Sequence, residues 1–315
     1  MTVYIIRRVL GILPVLFLIS VIVFVLTALI PGDPATVILG TMATPERVAA
    51  TRARLGLDQP IYVRYILWLI AIIQGDLGTS VLDQQSVMVH LQRTIPVTLE
   101  LMILSMLFAI VTALPIGVLA AIRRGTLMDR FLMTFVLIGV SIPGFWLGLM
   151  LILVFAVRLR LLPPSGYVSF TTAPWQNLTG MILPSLTLGI YLAPPLARFV
   201  RSGMLEVLGQ EYIRTAWSKG LNEYRVISRH ALKNALIPVV TFVGLQVGSI
   251  LAGAIVTEEI FGLPGTGRLA MSSILSRDYP MIQGVVLFVA MGYTFLNLIV
   301  DVLYAFLNPR IRFGG

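Results

Sequence analysis

The chain has 315 residues, of which 57% are apolar and only 12% charged, about half the charged share of an ordinary soluble domain. The length alone would allow a soluble two-domain protein, but this balance excludes one and marks an integral membrane protein. A net charge of +9 would suggest nucleic acid in a soluble chain. Here the basic residues cluster beside apolar spans, so anionic membrane lipid is the counter-charge and no nucleic-acid partner is expected.

Arg7 and Arg8 precede Val9 to Ile30, a charge-free run long enough to cross about 30 Å of hydrocarbon. It is too long for a signal-peptide core, so a retained first transmembrane helix is expected over 1–30, with its N-terminus in the cytoplasm. The polar region 31–96 then lies outside. Ile30-Pro31-Gly32-Asp33-Pro34 reads as a helix stop, and Thr44-Pro45-Glu46 as a helix start with Thr as cap. Ile61 to Ile73 is apolar apart from Arg64 but too short to span. It predicts an interfacial helix with Trp68 near headgroup level.

Five further spans are expected: Leu101 to Ile122, Phe131 to Val157, Leu178 to Ala197, Ala235 to Thr257 and Met281 to Val300. Arg123, Arg124 and Arg130, opposed only by Asp129, mark a cytoplasmic loop, and Pro163, Pro164 and Gly166 an external turn. A second external loop runs from Glu258 to Pro280. Fourteen of the 23 Lys and Arg fall on the cytoplasmic side of this layout, and five of the other nine lie in the long loop, which counts weakly. The expectation is an all-α polytopic membrane protein with six transmembrane helices and both termini cytoplasmic. Its parts are the first helix, an extracytoplasmic segment 31–96, a core 97–305 with a cytoplasmic loop 201–234, and a tail 306–315.

No GxxxxGK[ST], HExxH or GxSxG pattern occurs, so no catalytic residue is assigned and ATP hydrolysis is not expected of this chain. There is no cysteine, and His90 and His230 stand apart, so no metal site is expected. Pro115, Pro143, Pro184, Pro194 and Pro195 interrupt the spans. Such breaks are tolerated where backbone lines a cavity, but Gly and Pro are also common in membrane helices. Pro143 and Gly144, with Glu100 near the outer end of the second span, are the candidates for a translocation pathway. Interfacial solvation or a structural contact is the alternative for Glu100. Asp301 could pair with Arg7, Arg8 or Arg310.

The longest polar interruption of the C-terminal half is Gly209 to Pro238. Ile213, Ala216, Trp217, Gly220 and Leu221 follow the spacing of one helix face, Glu211 opens the helix and Lys219 closes it. Gly220 falls where a left-handed cap belongs. A short helix with one apolar face needs a partner surface, either another protein or anionic lipid.

Ala216, Gly220, Leu232 and Pro238 resemble the cytoplasmic loop of ABC importer permeases, whose Glu-Ala-Ala, three residues, Gly motif marks a coupling helix. Arg214 and Thr215 stand where that motif has Glu and Ala, and Lys233 where Pro is common. The sequences EYIRTAWSKGL and RHALKNALIPVV resemble the dipeptide/oligopeptide (and nickel) importer branch more closely. So do the segments around Gly56, Gly75-Asp76-Leu77-Gly78, Glu258 to Arg268, and Asn297 to Arg310. The resemblance runs from Arg7 to Arg312. It implies a type I importer transmembrane domain with 31–96 as an external cap, in a bacterial inner membrane. It also implies a second homologous permease, two ATPase subunits that hold ATP and Mg, and an extracytoplasmic solute-binding protein, with no cofactor in this chain. Glu211, Tyr212, Ile213, Arg214, Thr215, Ala216, Trp217, Lys219, Gly220 and Leu221 would then form the ATPase-coupling surface. Di- or oligopeptides are the expected cargo, with nickel, glutathione or another small solute as alternatives. The residues alone also allow an ATP-independent carrier or a membrane scaffold.

Overall fold

The computed structural model describes residues 2–29, 33–40, 43–54 and 56–307, and among these the regular structure is helical apart from one bridge between Thr79 and Ser86. In chain order the helices are α1 (Thr2–Leu29), α2 (Pro34–Leu39), α3 (Pro45–Arg54), α4 (Ile61–Ile73), α5 (Val87–Ile122), α6 (Leu127–Ser141) and α7 (Gly144–Leu151), which runs into a π-helical stretch, Ile152–Arg158. Then come α8 (Pro174–Leu208), α9 (Glu211–Ser218) and the single turn α10 (Glu223–Arg225), followed by a second π-helical stretch, Val226–Ala231. The chain ends with α11 (Leu232–Leu245), α12 (Val247–Phe261), α13 (Thr266–Leu275) and α14 (Tyr279–Leu307). Among the described residues four helices are long and apolar enough to cross a membrane, or up to six spans if each of two bent pairs counts as one.

Several expectations are corrected. Val87 to Pro96 is the start of α5 rather than the end of a loop. The span expected from Phe131 to Val157 is two helices, bent by 96°. The break falls at Ile142, held extended (φ −85°, ψ 124°) because the ring of Pro143 disfavours the helical region for the residue before it. Pro115, Pro184, Pro194 and Pro195 do not break their helices. The span expected from Ala235 to Thr257 is divided between α11 and α12. Helix α12 runs on through Glu258 and Glu259, which were expected in a loop, and stops at the left-handed Gly262 (φ 63°). Ile30-Pro31-Gly32, Asn308-Pro309-Arg310 and the side chains of Arg7 and Asp301 lie outside the described residues.

The described chain forms two compact units. One contains 2–97 and 264–295. Its core is Val87, Leu91, Met281 and Val285, with Leu77, Leu269 and Phe288 packed on it. Asp278 caps the start of α14 and is 2% exposed. It accepts from the Ser80 hydroxyl at 2.5 Å and from the Val81 N–H at 3.2 Å. Helix α4 covers Ile61–Ile73 as expected, but Trp68 packs on Phe24 of α1, 5.5 Å between ring centres, beside Tyr65, whose hydroxyl lies 2.8 Å from Ser20 Oγ.

The other unit contains 98–263 and 296–307, and α8 is its centre. Helices α5 and α8 approach at two glycines. A Cβ on Gly117 would lie 2.7 Å from the Ala197 carbonyl, and one on Gly189 would lie 2.6 Å from the Phe108 ring. Ser105 and Phe108 meet Gly189, while Gly117 meets Ala197 and Val200, so the two helices run in the same direction. Helix α6 runs opposite to α8, with Gly139 beside Pro194 and Asp129 beside Arg201. Phe199 of α8 stacks on Phe242 of α11, with ring centres 4.5 Å apart.

The Ala197 carbonyl and the Val200 side chain, branched at its Cβ, close off Gly117, so the helices must separate to admit a methyl group. Gly117→Ala is expected to cost about 1–3 kcal/mol, as overpacking does. Thermal unfolding of the purified chain measures it. Gly11→Ala, where a Cβ meets nothing within 4 Å, should leave the midpoint unchanged or slightly raised.

Candidate functional site

The segment 209–235 leaves the end of α8 and returns to the bundle as α11. Gln210 is extended (φ −76°, ψ 148°), and its carbonyl accepts from the Ile213 N–H at 3.1 Å, which starts α9. Helix α9 stops two turns later by a Schellman motif. Gly220 is left-handed (φ 75°), its N–H bonds to the Trp217 carbonyl at 2.9 Å, and the Leu221 N–H reaches back to Ala216 at 3.4 Å. Nothing lies within 4 Å of a Cβ built on Gly220, so it is the backbone angle, not crowding, that calls for glycine. Asn222 then accepts from the Arg225 N–H at 2.9 Å and starts the return.

Ile213 and Ala216 are buried, 1% and 6% exposed. They face inward, where α9 packs on the π-helical stretch Val226–Ala231, whose Val226 and Ala231 are also buried. The expected single apolar face is therefore divided. Helix α9 ends at Ser218, which leaves Gly220 and Leu221 beyond it. Trp217, four residues after Ile213, falls on the flank and keeps 45% of its surface exposed. Tyr212 and Tyr224 are exposed as well. Tyr212 ties α9 to α11, its hydroxyl accepting from Asn234 Nδ2 at 2.9 Å, while Asn234 also donates to the His230 carbonyl at 3.0 Å. Arg214 and Glu211 pair at 2.9 Å, but both are largely exposed, so this ion pair adds little. The outward surface thus holds three aromatic rings among Glu211, Arg214, Lys219, Glu223, Arg225, Arg229 and Lys233.

The pathway candidates are placed differently. Glu100 accepts from the Tyr167 hydroxyl at 2.9 Å, which anchors the 159–173 connection to α5. Burial, and after it this carboxylate, push the Tyr167 phenol up to about 12, so it remains a donor at any physiological pH. Pro143 sits at the break between α6 and α7, and Gly144 opens α7 with free space around it.

Two polar contacts were not foreseen. Asp129 was expected to oppose its neighbours Arg123, Arg124 and Arg130. It pairs instead with Arg201 in a two-pronged contact, Nε to Oδ1 at 2.8 Å and a terminal nitrogen to Oδ2 at 2.7 Å, and it also accepts from the Gly125 N–H at 3.0 Å. Glu258 is fully buried and accepts from Thr98 at 2.6 Å. The partners are separated by 72 and 160 residues, so nothing local in the sequence announces either pair. The only local hint is that Asp129 is the sole acid beside three arginines.

The unit that contains 98–263 is a helical bundle from which an aromatic and basic loop projects between α8 and α11. Residues 113–313 match the family described as binding-protein-dependent transport system inner membrane component, and residues 1–102 match the N-terminal part of such membrane components. The chain belongs to this family. It is similar over its whole length to the glutathione transport system permease protein GsiC of Salmonella paratyphi A. The two are 44% identical over 310 residues, 98% of this chain and 99% of that one. GsiC of Escherichia coli strain K12 is 43% identical over the same length. Its fold resembles that of a chain from the MetNI methionine ABC transporter in an inward facing conformation. The TM-score is 0.58 at 19% identity, over 70% of this chain and 97% of that one. This permease is thus an inner-membrane subunit of an ABC importer, as the loop residues had implied.

In this permease the Asp129–Arg201 pair joins α6 to α8 with the carboxylate almost buried. Asp129→Ala leaves Arg201 half-buried without its partner and is expected to cost about 2–4 kcal/mol. Asp129→Ala combined with Arg201→Leu removes both charges and should recover at least half of that loss, read as thermal midpoints of the purified variants.

Proposed function

We propose that this permease forms half of the translocation pathway of an ATP-driven importer, and that the surface around α9 couples it to a separate ATPase subunit. The observation that carries this reading is the construction of α9. Two buried side chains, a Schellman stop and the Tyr212–Asn234 bond hold a helix of only two turns rigid, while Trp217, Tyr212 and Tyr224 remain outside. Aromatic rings ringed by charge are the composition of a protein-docking hot spot. ATP and Mg would be held by the partner subunits, since this chain carries no phosphate-binding loop. A second, homologous permease would complete the pathway, and an extracytoplasmic solute-binding protein would deliver the cargo.

In this mechanism, closure of the ATPase pair pushes α9. The push passes through Ile213 and Ala216 to the Val226–Ala231 stretch, and through Asn234 to α11. Because α8 leads directly into α9 and stacks on α11 through Phe199 and Phe242, both helices move together. The inner end of the pathway closes and the outer end opens to accept cargo. Small peptides are the proposed cargo class. Among them glutathione, itself a tripeptide, is favoured by the relatives of 43% and 44% identity that are named as glutathione permeases.

Trp217→Asp tests the reading without disturbing the bundle, because the ring is half exposed. The variant should weaken association with the ATPase subunit at least about thirtyfold, the loss of one hot-spot side chain. Cargo-stimulated ATP turnover of the assembled transporter should fall in parallel. Unchanged assembly and unchanged stimulation would remove α9 from the coupling path. Transport by this chain alone in ATP-free liposomes would overturn the ATP-driven reading as a whole.

A further inference from the structure

The link between α5 and α6, residues 123–126, carries charge that the fold does not consume. Arg123 and Arg124 follow the last turn of α5, and Arg130 lies in the first turns of α6. All three are exposed. The one acid among them, Asp129, faces the other way and is 5% exposed, with both carboxylate oxygens engaged by Arg201 and one also by the Gly125 N–H. It acts on Arg124 through space but bonds to none of the three. Among the described residues no carboxylate pairs with Arg123, Arg124 or Arg130.

Directly beside these arginines α6 presents an uncovered apolar stripe. Leu127, Phe131 and Phe135, spaced i, i+4 and i+8, are 81%, 70% and 61% exposed, and the two phenylalanine rings stack at 6.5 Å. Helix α6 belongs to a candidate span, so this stripe requires a hydrocarbon neighbour. Three guanidinium groups with no carboxylate partner flank the start of this stripe, where a hydrocarbon span would give way to headgroups.

We propose that this corner is a binding site for an anionic phospholipid, its headgroup phosphate held by Arg123, Arg124 and Arg130 and its acyl chain lying along Leu127, Phe131 and Phe135. The chemistry favours a phosphate over a carboxylate-bearing protein surface. A guanidinium offers a planar fork that matches phosphate oxygens, and an acidic protein would leave the three large apolar side chains uncovered. The Asp129–Arg201 pair is what creates the site. It satisfies the only local carboxylate inside the bundle and leaves the arginines as net positive charge outside.

The test is native mass spectrometry of the full chain, purified in its assembly and exposed to phosphatidylglycerol or phosphatidylcholine in mixed micelles. The wild type should retain phosphatidylglycerol in preference to phosphatidylcholine. The variant Arg123→Gln, Arg124→Gln, Arg130→Gln should lose that preference by about fivefold per arginine, the contribution of one basic residue at an anionic surface. Its thermal midpoint should stay at the wild-type value, since all three side chains are exposed. Arg158→Gln with Arg160→Gln removes charge elsewhere and should leave the preference intact. Equal retention of the two lipids by the wild type overturns the proposal, as does a preference that survives in the triple variant. An equal loss in the Arg158, Arg160 variant also overturns it, because the binding is then diffuse. Retention by the lone chain but not by the assembly does so too, because a protein subunit then covers the arginines.

Discussion

Close approach at small residues holds the membrane part of this permease together. Between lipid-exposed helices there is no hydrophobic drive to associate, because acyl chains are as apolar as leucine. What remains is dispersion, and that demands near contact. Helix α8 meets the demand with Gly189 and Ala197 against α5, where Ser105, Phe108 and Gly117 answer them. The same helix takes α6 at Pro194, α7 at Thr187 and α12 at Leu188. A helix packed this way on several sides has little freedom to shift by itself. It can move only with its neighbours, and it leads directly into α9.

Polar contacts then fix which ends of the bundle stay together. At one end Asp129 and Arg201 lock α6 to α8. At the other, Thr98 with Glu258 joins α5 to α12, and Glu100 with Tyr167 joins α5 to the connection between the α7 and α8 helices. The same connection is tied to α12 by the Gly166 N–H, which donates to the Phe261 carbonyl at 3.0 Å. A buried carboxylate without partners would be expensive at these depths, so each of these bonds is a registration mark more than a source of net stability. Together they define a block in which α5, α8 and α12 are held at fixed relative heights, and in the proposed mechanism a push at α9 would act on that block as a whole.

The sequence revealed membrane character, the loop and the family, for distinct physical reasons. Apolar runs free of charge can only be buried or lipid-facing, so four of the six spans were recognisable as single segments, although their ends were not. Gly220 was legible because a left-handed cap admits few other residues. Pro143 was legible as a feature, but not as a 96° bend, since Pro184, Pro194 and Pro195 carry the same signal and leave α8 continuous. A proline breaks a helix only when the surroundings fail to absorb its lost hydrogen bond, and that is tertiary information. Glu258 was misread because two adjacent acids usually mark solvent. Inside the bundle it accepts from Thr98, 160 residues away. The single apolar face assigned to α9 failed for a more local reason. The spacing rule assumes that the helix continues, and the glycine that was itself recognised as a cap ends it before Gly220 and Leu221 can belong to the face.

That division of α9 has a mechanical meaning. A helix of two turns is too short to be stable alone, because its nucleation cost exceeds what so few hydrogen bonds return. It persists here because Ile213 and Ala216 are inserted into the bundle, and because both ends are fixed by backbone geometry. Had Trp217 also turned inward, the loop would be more stable and would offer no large side chain to a partner. Had Ile213 turned outward, the surface would be more adhesive and the helix would fray under load. Placing the two apolar anchors inside and the indole on the flank satisfies both requirements. In the proposed mechanism a force applied to the ring would pass through a braced helix rather than be dissipated in a loop, and the Tyr212–Asn234 bond would give it a second route into α11.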